Sequence, residues 1–110
     1  MNTTEIMYRE FCPRCAIKHL AKAHVLMNES RLGYPHHVWY AMGNMSEAED
    51  ELVEFLPEQA TKIRLERIKL QKSMGEASTY FPDFKALMYE VAQEAMLEEV
   101  AEYNGRCPHE

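Results

Sequence analysis

The chain is 110 residues long, 46% hydrophobic and 27% charged, with a formal net charge of −6. That length holds one domain with one core, and that apolar fraction excludes compositional disorder. No apolar run approaches the roughly 20 residues that cross a bilayer, so no membrane partner is expected, and the negative balance disfavours broad nucleic-acid binding, which needs cations to neutralise phosphates.

Ala16, Ile17, Leu20, Ala23, His24 and Met27 recur at three- and four-residue spacing. They predict a helix over residues 15–31 that fades before Gly33. A second helix is expected just after Gly33, with Pro35 in its first turn and Val38, Ala41, Met42, Met45, Leu52 and Leu56 as its apolar stripe; Pro57 marks its end or a kink. The third, over 58–74, stops near Gly75 in what reads as a C-terminal turn. The fourth opens near Pro82-Asp83 and runs to about Tyr103, closed by Asn104-Gly105. No two-residue alternation is bounded by turn signals, so no sheet is expected. Short connections favour antiparallel neighbours, which gives an all-α fold: a small up-and-down bundle of about four helices, residues 1–110 forming one domain.

Two of these helices carry apolar residues on two sides. On the third, Leu56, Ala60, Ile63, Leu70 and Met74 share one face while Leu65 and Ile68 point almost opposite. On the fourth, Phe84, Leu87, Met88, Val91 and Ala95 oppose Tyr89, Met96, Val100 and Tyr103. A two-sided helix is buried between layers or covered by something outside the domain, so a protein partner or homo-oligomer is expected. The methionines read as core filler, and Tyr80-Phe81 as an aromatic pair packed under a loop. The third helix also bears Lys62, Arg64, Arg67, Lys69 and Lys72 against a single Glu66. This run over 62–72 reads first as a solvated face; a nucleic-acid-associated regulator is the alternative.

The strongest chemical signal is Cys12-Pro13-Arg14-Cys15, answered at the other end by Cys107-Pro108-His109. Two thiols separated by two residues close around one ion through a tight turn, and a structural zinc needs two further nitrogen or sulfur ligands. Cys107 is the best third ligand, leaving His19, one helical turn beyond Cys15, and His109 to compete for the fourth place. Such a site ties the two ends of the chain together. Unbound thiols, a redox pair or an iron–sulfur fragment are the competing readings, although a thioredoxin-type pair belongs in a βαβ unit and none is visible. Three cysteines cannot all pair among themselves, and residues 1–5 lack the pattern of a secretory signal, so a reducing, intracellular setting is expected.

His24 and Glu49 form a second constellation, each on the apolar face of its helix, with Glu98 and Glu94 on the fourth. Converging carboxylates and imidazole inside a bundle bind iron or manganese, or act as an acid–base pair. The chain holds no Glu-x-x-His, however, and a buried His24–Glu49 pair is the plainer expectation. There is no phosphate-cradling glycine loop, G-x-S-x-G elbow or His-Glu-x-x-His, so a non-enzymatic role is expected.

Cys12-Pro13-Arg14-Cys15-Ala16-Ile17-Lys18-His19-Leu20, followed by Gly33-Tyr34-Pro35-His36, resembles small uncharacterised phage and bacterial proteins that open with C-x-x-C-x-x-K-H-L. The resemblance covers about the first half of the chain and implies a metal-binding helical module, such as a virion or phage accessory component, in the host cytoplasm or the virion. It also favours His19 as a ligand. It offers no counterpart for Cys107-Pro108-His109.

Overall fold

The computed structural model describes residues 12–31, 36–76 and 79–95, and within them all regular structure is helical: α1 Pro13–Arg31, α2 His37–Leu52, α3 Pro57–Ser73 and α4 Phe84–Glu94. Each helix starts or stops where local chemistry allows. Pro13 and Pro57 sit at first helical positions, where the missing N–H costs no hydrogen bond. Asp83 caps α4 by accepting from the Ala86 N–H at 3.1 Å. After α3 the chain reverses over Ser73–Glu76. Met74 is extended, Gly75 has φ +90°, and the Glu76 N–H donates to the Ser73 carbonyl at 3.1 Å. That is a type II turn, whose third residue needs the left-handed conformation glycine adopts without strain.

The expected second helix is shorter than its stripe implied. It ends at Leu52, a turn occupies 53–55, and Leu56 precedes α3 at φ −131° and ψ 65°. The cause is Pro57, whose ring forces the residue before it out of the helical region. The expected continuation of α4 to Tyr103 lies outside the described residues after Ala95.

Cross-helix contacts fix the topology. His19 meets Glu47 and Glu29 meets His37, so α1 and α2 are antiparallel. Arg31 lies over Phe81 and His24 on Phe84, which makes α1 and α4 antiparallel. Lys62 pairs with Glu90 while Glu66 accepts from Tyr80, which does the same for α3 and α4. With α3 packed against α2, the result is a closed up-down-up-down bundle. Its centre holds Leu20, Met27, Met45, Leu52, Ile63, Leu70, Phe84 and Val91, all fully buried. Ala16, Ala23, Ala41 and Ala48, fully buried too, let α1 and α2 approach closely.

Candidate functional site

Cys12 is the N-cap of α1 in geometry, with sulfur in place of the usual oxygen. Its Sγ accepts the Cys15 N–H at 3.3 Å, and its carbonyl takes the Ala16 N–H at 3.1 Å. The sulfur therefore turns inward over the first helical turn, leaving Cys12 only 3% exposed. Burial pushes its thiol above the ordinary value and the Glu51 carboxylate adds to this, against the Cys15 amide, which favours thiolate. Cys12 keeps its thiol, whereas Cys15 is disulfide-bonded.

His19, the nearest candidate ligand, has both ring nitrogens engaged by α2. Nδ1 lies 3.0 Å from Asn44 Oδ1, and Nε2 lies 3.1 Å from Glu47 Oε2. The Asn44 amide nitrogen donates to the Tyr40 carbonyl at 3.0 Å, which leaves its oxygen facing the ring, so Nδ1 donates. A metal bound at His19 Nε2 would have to displace Glu47, while Asn44 could still orient the ring from Nδ1, as outer-shell partners of metal-binding histidines do. Among the described residues no group of three or more His, Cys, Asp or Glu converges as a metal site. Cys107 and His109 lie outside the described residues.

The second constellation comes apart. His24 stacks on Phe84 at 5.6 Å and meets the edge of Phe81 at 5.8 Å, and it makes no pair with Glu49. Buried Glu49 instead accepts from Arg64 Nε at 2.7 Å and Arg67 Nη2 at 3.2 Å. The expected His24–Glu49 pair is therefore corrected: His24 serves packing against α4, and Glu49 anchors α2 to α3. Glu94 is exposed at the end of α4, and Glu98 lies outside the described residues. Sequence reasoning had both halves of the Glu49 cluster and did not join them, because the arginines were read with the basic run. That run is largely neutralised within the chain. Besides the two arginines, Lys62 meets Glu90 at 2.9 Å and Lys69 meets Glu66 at 3.0 Å.

A polar seam closes the α3–α4 connection. Ser73 Oγ donates to the Leu70 carbonyl and accepts the Tyr80 N–H, both at 2.8 Å, while the Tyr80 hydroxyl donates to Glu66 at 2.5 Å. The bond to the Glu66 carboxylate, helped by burial, pushes the Tyr80 phenol up to about 12. Beside it, Leu65, Lys62 and Lys69 of α3 and Leu87, Ala86 and Glu90 of α4 line an open groove of about 310 Å³.

Leu65 and Tyr89 are exposed, as their second faces predicted, whereas Ile68 is half-buried. More apolar surface lies on α2, where Trp39 is 61% and Tyr40 59% exposed. Sequence reading passed over both because they fall outside the stripe it followed; that position off the stripe was itself the signal. The chain matches no protein-family model, and no curated protein or solved structure shows significant similarity to it.

Proposed function

We propose that this chain is a non-enzymatic, zinc-stabilised helical module that acts by docking within a larger assembly, a role compatible with a phage virion or accessory component. The supporting observation is the Cys12 turn. A sulfur that accepts the amide of the second cysteine, at the positive end of α1, has the hydrogen bond and dipole that favour a metal-binding thiolate, set against the burial that favours the thiol. The ligand set on this reading is Cys12, Cys15 and Cys107, completed by His19 or His109. It belongs to the reduced chain, since Cys15 has to be released from its disulfide as a thiolate. Binding then releases the thiol proton of Cys12, as metal ligation by a cysteine requires. The docking half of the proposal draws on the exposed Trp39, Tyr40, Leu65 and Tyr89.

Metal analysis of the reduced protein tests the staple. About one zinc per chain is expected, lost in Cys12→Ser and Cys15→Ser. Chelation should lower the melting temperature sharply, since structural zinc contributes on the order of 10 kcal/mol in small domains. Separate His19→Ala and His109→Ala variants assign the fourth ligand by which one releases the metal. A reduced, metal-free chain that melts at the same temperature as the zinc-loaded one removes the proposal.

A further inference from the structure

We infer that Cys15 is joined to Cys107, and that this disulfide and the zinc staple are alternative closures of the same two ends, so that oxidation of the chain ejects its metal. The inference rests on the zinc reading above and adds the regulation of that site.

The pairing follows by elimination. The chain has three cysteines, Cys12, Cys15 and Cys107. Cys15 is disulfide-bonded and Cys12 keeps its thiol, which leaves Cys107 as the sulfur on the other side of the bond. Cys107 lies outside the described residues, and the states of the other two cysteines assign it.

The two cysteines of the turn are sorted by access. Cys12 is 3% exposed, with its sulfur held on the Cys15 N–H at 3.3 Å, whereas Cys15 is partly exposed on the first turn of α1. Thiol–disulfide exchange needs one sulfur to approach another, so the accessible sulfur of the turn reacts and the covered one is spared. That division explains why a C-x-x-C turn, a spacing that readily closes on itself, carries here one thiol and one half of a much longer bond.

The oxidised chain has lost the ligands that zinc requires. A structural zinc is held by thiolates, and a sulfur committed to a disulfide is no longer one. Forming Cys15–Cys107 removes two of the three sulfur ligands and leaves Cys12 with His19 or His109, too few for a closed tetrahedral shell. With the disulfide of a small thiol as oxidant, the Cys15 thiolate attacks one of its sulfurs and expels a thiolate. The Cys107 thiolate then attacks the Cys15 sulfur of the mixed disulfide and expels the second. Two electrons pass from the cysteine pair to the oxidant, the zinc ion leaves to solvent, and the expelled thiolates take protons from water. A dithiol reductant runs the sequence backwards and restores the ligands. In both states the ends stay tied, since a bond closing nearly the whole chain restricts the unfolded state more than a short loop does.

Oxidation of the full-length, zinc-loaded chain with oxidised glutathione tests the exchange, with a metallochromic indicator recording zinc and peptide mapping without reduction locating the bond. Mapping should return a Cys15–Cys107 cross-link, with Cys12 alkylated only after unfolding. About one zinc should leave per bond formed and return after dithiothreitol. Cys12→Ser should form the same cross-link as wild type, because the bond does not use that sulfur. A Cys12–Cys15 bond, a bond between two chains, or zinc that stays with the oxidised chain overturns the proposal. Failure of the zinc reading looks different: the reduced chain then takes no metal before any oxidant is added, which removes the exchange along with the staple.

Discussion

Glu49 shows how one carboxylate can be tolerated in a core at unequal cost to its partners. Its side chain is 8% exposed, whereas Arg64 is half exposed and Arg67 about a quarter. Removing the carboxylate lets two mobile guanidinium groups turn to water, but removing both cations strands a charge that has no such route. Arg64→Ala with Arg67→Ala is therefore expected to cost roughly 3 kcal/mol or more, and Glu49→Gln clearly less, in urea denaturation. Equal losses would mean that the pair acts by packing alone. Tyr80 gives a second test at this scale. Its phenol is pushed up to about 12 in the fold, so the folded state holds the proton more tightly than the unfolded chain, whose value is about 10. The associated stability is complete below about pH 10 and is lost as pH rises toward 12. Among the six tyrosines, one phenolate band should appear late in an absorbance titration; Glu66→Gln should move it earlier, and Tyr80→Phe should remove the late-titrating band.

The helices were legible because their buried faces repeat at helical spacing and their ends carry proline, aspartate or glycine. Ala16, Ile17, Leu20, Ala23 and Met27, and likewise Ala60, Ile63 and Leu70, are buried where their spacing placed them. The join of α2 and α3 was misplaced because apolar Leu56 continues the stripe, and only the restriction imposed by Pro57 shows that the helix has stopped. Side-chain partnerships were much less legible. Periodicity says that His24 and Glu49 face inward, but it cannot say whether an imidazole meets a carboxylate or a phenyl ring, since that depends on register between helices distant in sequence. For the same reason the candidate metal site reads from the sequence as spacing at the two ends, while the contacts of His19 with Asn44 and Glu47 come only from the packing of α1 on α2.

Taken as a whole, the bundle is unevenly bonded. Helices α1 and α2 meet through fully buried alanines with Leu20 and Met45 filling the space between, while α3 and α4 leave an open groove bridged by the Lys62–Glu90 pair. The first seam removes apolar surface from water and admits no rehydration. The second is an exposed ion pair whose attraction is screened and largely offset by the entropy of holding two long side chains. Mutations of comparable size should consequently diverge. Leu20→Ala leaves a cavity at the closest helix pair and should cost about 2–5 kcal/mol, and Ala23→Leu about 1–3 kcal/mol through overpacking. Lys62→Ala, by contrast, should leave the melting temperature within experimental scatter, and so should Glu90→Gln, which also removes the rise that Glu90 imposes on the Lys62 ammonium. If Lys62→Ala destabilised the fold as much as Leu20→Ala, the groove would be a structural seam equal to the α1–α2 contact, and the bundle would owe its cohesion to charge pairing as much as to burial.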